Sequence, residues 1–215
     1  MIPKAVLLDC DGVIVDSEGI AFSLLEQDLA DAGLPLARQE MEARFLGGTI
    51  RGLYAAVVAE GARLPATWVE DFYERLYAKL AEGTPLVPGI EGVLRRLDQL
   101  GIPYAVGSNG TIRKMQITLS QHPDIWRRLQ GRVFSGQELG FPKPAPDLWL
   151  HCAAFLGVRP GDAVVVDDSP NGALGAKRAG IRCLGLARHG DGAALRAVGA
   201  EVFHRLDDLP GLLGI

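Results

Sequence analysis

The chain has 215 residues, 48% of them hydrophobic, with 22 lysines and arginines against 26 aspartates and glutamates and a formal net charge of −4. This suits one large domain, or a core domain carrying a smaller insert. The lack of a basic cluster argues against a nucleic-acid partner, and no apolar run reaches the length of a membrane span. Cys10, Cys152 and Cys183 are too scattered for a disulfide framework or a zinc knuckle. They are expected as buried thiols in a reducing cytoplasm.

The first element in chain order is an apolar run, Ala5 to Leu8, that ends abruptly in Asp9-Cys10-Asp11-Gly12. The lead-in Met1-Ile2-Pro3-Lys4 leaves no room for a signal peptide, so a cytoplasmic protein is expected. Residues two apart on an extended chain project to one side, so Asp9 and Asp11 can share a site while Cys10 turns into packing. Two carboxylates that close repel unless a divalent cation or a shared proton relieves them. The same tetrad also fits a solvated turn.

Residues 17–85 carry apolar residues at helical spacing and no strand-like run. The series is Leu24, Leu25, Leu29, then Met41, Phe45, then Leu53, Val57, Val58, then Trp68, Val69, Phe72, Leu76, Leu80. Gly33, Gly47-Gly48 and Gly61 punctuate it. The economical reading is an α-helical insert over 17–85 that interrupts an α/β core formed by 1–16 and 86–215. Trp68 and Phe72 belong to the insert's own core.

From residue 86 onward, helix-like and strand-like segments alternate. Gly89–Leu100 reads as helix, Ile102–Val106 as strand, Thr111–Leu119 as helix and Arg132–Phe134 as a brief strand. Helix Asp147–Leu156, strand Ala163–Val166, helix Asn171–Ala179, and strands Ile181–Leu186 and Glu201–Phe203 follow. This alternation predicts a Rossmann-like parallel sheet with helices on both faces.

Ligand sites in open parallel sheets lie beyond the carboxyl ends of the strands. Here those ends carry Asp9-Cys10-Asp11, then Gly107-Ser108-Asn109-Gly110, then Asp167-Asp168-Ser169, with Lys143 held between prolines in Phe141-Pro142-Lys143-Pro144. Alone, Ser-Asn-Gly is a turn, and Asp-Asp-Ser-Pro is a helix cap. Together they supply carboxylates for a hard cation, a hydroxyl and an amide for anionic oxygens, and a lysine as a point charge. His122, His151, His189 and His204 match no metal spacing.

The order Asp-x-Asp-Gly-Val-(x)₂-Asp-Ser, Ser-Asn, Lys-Pro-x-Pro-Asp, Asp-Asp-Ser resembles the four motifs of the haloacid dehalogenase superfamily, over essentially the whole chain. Within it, the chain is most similar to the β-phosphoglucomutase-like and sugar-phosphate phosphatase branch. Ser-Asn-Gly followed by Lys114-Met115-Gln116 resembles the 6-phosphogluconate phosphatase group. The insert resembles the superfamily's small helical cap.

The resemblance implies an Asp9 nucleophile that forms an aspartyl phosphate, with Asp11 as general acid and then base. It implies Mg²⁺ held by Asp9, the backbone carbonyl of Asp11, and Asp168, with Asp167 a direct or outer-sphere ligand. Ser108, Asn109 and Lys143 would bind the phosphoryl group. Ser169 and Asn171 either orient the acidic loop or touch the substrate. Related caps place a substrate loop where this chain has Gly47-Gly48-Thr49, which makes Arg44, Gly47, Thr49 and Arg51 candidates for substrate contact. The expectation is a monomeric Mg²⁺-dependent phosphatase of a small phosphorylated metabolite, a sugar phosphate or a phosphosugar acid such as 6-phosphogluconate. One alternative is a phosphomutase. Related mutases carry a histidine five positions after the first motif's last aspartate, where this chain has Ala21. A phospho-accepting signalling module is the remote alternative.

Overall fold

A computed structural model gives the fold of residues 2–215. Its centre is a six-stranded, all-parallel sheet, with strands β1 (Ala5–Leu8), β2 (Tyr104–Ser108), β3 (Val133–Ser135), β4 (Ala163–Asp167), β5 (Arg182–Leu186) and β6 (Glu201–Phe203). Their order is β3-β2-β1-β4-β5-β6. The chain runs outward from β1 to β3, then crosses back to β4 on the other side of β1. Ligands of doubly wound sheets bind at such a switch point. It falls here at the carboxyl ends of β1 and β4, where Leu8 pairs with Val106 on one side and Val166 on the other.

Strands buried on both faces read as continuous apolar runs, and Ala5 to Leu8 is fully buried. Alternate residues feed separate cores. Val6 and Leu8 pack with α5 (Ile90–Gln99), α6 (Ile112–Leu119), α7 (Pro123–Leu129) and α11 (Leu209–Leu213). Ala5 and Leu7 pack with α8 (Asp147–Phe155), α9 (Pro170–Arg178) and α10 (Ala193–Val198). The expected helices and strands are present, with ends shifted by a residue or two. Strand β2 starts at Tyr104, two residues later than expected: Pro103 lacks an N–H to give the ladder, although its carbonyl accepts from Val6 N (3.0 Å).

Between β1 and β2 lie α1 (Glu18–Asp31), α2 (Arg38–Phe45), α3 (Ile50–Ala59) and α4 (Trp68–Ala81). These helices bury their own cluster, in which Leu25, Leu29, Met41, Leu53, Val57, Trp68, Phe72, Leu76 and Leu80 join. The chain leaves and re-enters the α/β layer through a narrow neck, where Asp16 N bonds Pro85 O (2.8 Å) and Val87 N bonds Ile14 O (2.9 Å). No helix among the described residues is long and apolar enough to cross a membrane.

Candidate active site

The site begins where β1 stops. Asp9 N makes a last ladder bond to Val166 O (2.9 Å), and then the chain turns sharply, with Gly12 N donating to Val15 O (2.8 Å) and Ile14 N to Cys10 O (2.9 Å). Gly12 has φ of +75°, and a Cβ there would run into the Asp168 carboxylate. Only glycine combines that backbone with so close an approach. The turn drives Cys10 into the core and leaves Asp9 and Asp11 on the cavity wall, as the spacing predicts.

Lys143 is the hub. Its ammonium lies 2.8 Å from Asp9 Oδ1, 2.7 Å from Asp167 Oδ2 and 4.4 Å from the centroid of the buried Trp149 ring. Its side chain is 2% exposed. Asn109 fixes the lysine's backbone: its Oδ1 accepts from Lys143 N (2.8 Å) and its Nδ2 donates to Lys143 O (3.0 Å). The same Nδ2 also donates to Gly47 O on the helical insert (2.9 Å). This changes the expectation for Asn109, because the side-chain amide is engaged by the protein's own backbone.

Asp167 is likewise engaged through both oxygens. Its Oδ2 meets Lys143, and its Oδ1 accepts from Ser169 N (2.9 Å) and Ser169 Oγ (2.7 Å). Ser169 also caps α9, accepting from Gly172 N (3.0 Å), with Pro170 in the first turn. Carboxylate oxygens of Asp9, Asp167 and Asp168 all lie within 4.8 Å of one another. No protein hydrogen bond reaches the Asp168 carboxylate among the described residues.

Asp11 stands apart from that trio. Its Oδ1 takes Lys114 Nζ (2.6 Å) and the Ser17 hydroxyl, and its Oδ2 lies 3.4 Å from Ser108 Oγ. Ser17 therefore serves Asp11 rather than capping α1. Ser108 Oγ in turn accepts from Gly110 N (2.9 Å).

The electrostatics follow from this geometry. Burial pushes the Asp9 carboxyl up to about 7; Lys143 opposes that rise, while Asp167 and Asp11 reinforce it. Burial, then Glu18 and Asp9, raise Asp168 well above the ordinary aspartate value. Burial also works against charge on Asp11, but the Lys114 ammonium and the Ser17 hydroxyl outweigh it and hold that carboxyl low. The two aspartates of the first motif are thus inequivalent. Crowded carboxylates with raised pKa values and an unpartnered Asp168 fit a hard divalent cation, which would favour their ionised forms.

These groups open into a cavity of about 110 Å³ between the carboxyl ends of the strands and the insert. Gly47, Gly48 and Thr49 line it from the insert, with Phe22, Leu25 and Ile50 as apolar wall. Gly47 packs so closely on Ser169 that a side chain there would collide with it, and its φ is +69°. The structure does not bring Arg44 or Arg51 to this cavity. Arg44 pairs with Glu40 (3.1 Å) and Glu60, and Arg51 reaches Glu70 (3.3 Å) on the insert's outer surface. Both lie on the outward side of their helices, where acidic neighbours one turn away or on the next helix satisfy them. No histidine lines the cavity, and the position facing it at residue 21 is alanine.

Two charged residues of the cavity wall are not identified as site residues by the sequence. Glu18 opens α1, and Lys114 sits in the first turn of α6, its N–H bonded to the Thr111 cap (3.1 Å). Lys114 carried a signal. A cation in a helix's first turn opposes the macrodipole, so its presence beside Ser108-Asn109-Gly110 asks for a nearby anion, which is Asp11.

The haloacid dehalogenase-like hydrolase family model matches residues 3–180. A 6-phosphogluconate phosphatase of Escherichia coli is 31% identical over 179 residues, covering 83% of this chain and 80% of that protein. A haloacid dehalogenase-like protein of unknown function from Agrobacterium tumefaciens superposes with a TM-score of 0.85 at 32% identity, covering 98% of this chain and 97% of the other. A family hydrolase from Deinococcus radiodurans, solved with bound phosphate and sodium, gives 0.78 at 29% identity, covering 98% and 95%.

Proposed function

The chain belongs to the haloacid dehalogenase-like hydrolases, and from that premise we propose that it is a Mg²⁺-dependent phosphatase of a small phosphorylated metabolite. The observation that carries the reading is the Lys143 ammonium bridging Asp9 and Asp167 beside a cluster of three carboxylates. Such an array positions a dianionic phosphoryl group and stabilises its transfer, which is most of what phosphoryl transfer requires.

Asp9 is the nucleophile. Lys143 fixes its Oδ1, leaving the second oxygen to attack phosphorus. Lys114 and the Ser17 hydroxyl hold Asp11 ionised in the free site, so in this role it takes up a proton as the anionic substrate binds. It gives that proton to the departing alkoxide and, in the second half-reaction, takes one from the water that attacks the aspartyl phosphate. The Ser108 hydroxyl, on the cavity wall, faces the transferring oxygens. Asn109 acts one step back, clamping Lys143 and tying the site to the insert through Gly47.

Mg²⁺ would be held by Asp9, Asp168 and the backbone carbonyl of Asp11. Asp167, with both oxygens already engaged, would be an outer-sphere partner that orients Lys143. When bound, the ion neutralises phosphoryl charge that Asp9 would otherwise repel. Helices α1–α4, residues 17–85, form the cap that closes over this site and excludes water. Its contacts come from Gly47, Gly48 and Thr49.

Substrates are sugar phosphates or phosphosugar acids such as 6-phosphogluconate, a class supported by the Escherichia coli relative. Ala21 on the cavity wall favours hydrolysis over mutase chemistry, since nothing there restrains water as a histidine would. The test is a phosphate-release screen over sugar phosphates, phosphosugar acids, phosphoglycolate and nucleotides, with and without Mg²⁺. Metal-dependent release supports the reading. Isomerisation of β-glucose 1-phosphate faster than phosphate release would favour the mutase, and stable phosphorylation without turnover would favour a signalling module.

A further inference from the structure

The cavity wall contains two ammonium groups, and they are unequally committed. Lys143 is taken up by Asp9 and Asp167, whereas Lys114 makes a single side-chain bond, to Asp11 Oδ1. An ammonium has three donors, so two remain on a side chain that is 12% exposed and lines the cavity. We infer that Lys114 binds a hydroxyl on the carbon adjacent to the one that bears the ester oxygen, so that the preferred substrates are phosphate monoesters of vicinal diols and polyols.

The position of the ammonium fixes which part of the substrate it meets. This inference rests on the phosphatase reading, in which Asp11 must reach the leaving oxygen. Lys114 Nζ is 2.6 Å from that same carboxylate, so it flanks the first carbons of the leaving group rather than its far end.

The charges around it select a neutral oxygen over an anionic one. Asp9, Asp11, Glu18 and Asp168 share the cavity with these two ammonium groups. A second anion on the substrate would meet Glu18 as well as Lys114, whereas a hydroxyl can accept from Lys114 and donate to Glu18. The Glu18 carboxylate has no protein hydrogen-bond partner among the described residues and lines the same cavity as Lys114. Arg44 and Arg51, which could have served a carboxylate farther out, are held on the insert's outer face.

Three two-carbon esters test the inference, because they differ only beside the ester: ethyl phosphate, 2-hydroxyethyl phosphate and 2-phosphoglycolate. The Mg²⁺-loaded wild-type protein is expected to turn over 2-hydroxyethyl phosphate with kcat/KM roughly ten- to a hundredfold above ethyl phosphate, the range of a hydrogen bond to a charged group. It should also favour it over 2-phosphoglycolate. Lys114→Met should shrink the hydroxyethyl-to-ethyl ratio to within about threefold. Glu18→Gln should raise 2-phosphoglycolate relative to 2-hydroxyethyl phosphate.

A wild-type protein indifferent to the hydroxyl overturns the inference, and so does one that prefers 2-phosphoglycolate. Both outcomes hold even if Lys114→Met fails to fold. A Lys114→Met protein that slows both esters in proportion also overturns it, since the lysine would then act only through Asp11. In each case phosphate release itself survives. Loss of release from all three esters and from p-nitrophenyl phosphate overturns the phosphatase reading and this inference together.

Discussion

At the scale of single residues, the charges of the site divide by what each one faces. Lys143 joins two carboxylates with almost no solvent access. Removing one partner from a buried charged group costs about 3–5 kcal/mol, because the others are left uncompensated. Lys143→Met in metal-free protein should lose about that much in urea unfolding; a loss below about 1 kcal/mol would mean that Asp9 and Asp167 do not depend on it. Asp9, Asp167 and Asp168 were legible from the sequence because they end or follow a strand, and Lys143 because two prolines flank it. What marked them was their joint occurrence, since each alone has a turn or cap to explain it. Glu18 was not, since an acidic residue in a helix's first turn has a sufficient local explanation in the dipole. Arg44 and Arg51 misled for a related reason: proximity in sequence to a Gly-rich loop does not say on which side of a helix a side chain emerges.

At the scale of elements, two glycines in helices should respond oppositely to the same substitution. Gly92 in α5 has open space where a Cβ would go, so Gly92→Ala should stabilise by about 0.5–1 kcal/mol through helix propensity alone. Gly172 in α9 has the Asp167 carboxylate there instead. Gly172→Ala should therefore destabilise by about 1–3 kcal/mol, the usual cost of overpacking, and lower turnover by disturbing Lys143's partner. Equal shifts for both in calorimetry would contradict that packing. The main strands and helices were readable because their apolar periodicity is strong. The short helices α7, α10 and α11 were not, since five to seven residues span too few turns to show a period. Their burial comes from packing on the sheet, as with Ile125, Leu195 and Leu209.

At the scale of the whole molecule, stability and metal binding are linked through the carboxylate cluster. Asp9 rises from 3.8 to about 7 and Glu18 from 4.5 to about 7, with burial the first cause in each. For an acid with a raised folded-state pKa, the contribution to stability is fully present below the unfolded value and lost as pH climbs through the folded one. Metal-free protein should therefore melt at lower temperature at pH 8 than at pH 5. Added Mg²⁺ should raise Tm more at pH 8, where the cluster is ionised and ready to bind it. A chelated protein that gains stability over that range would contradict the site's electrostatics. The measurement that tests the catalytic assignment most directly is mass spectrometry of protein acid-quenched during turnover. A transient phosphoryl adduct on the peptide bearing Asp9, absent in Asp9→Asn together with turnover, is the predicted result; turnover with no adduct there, or full activity in Asp9→Asn, would contradict it.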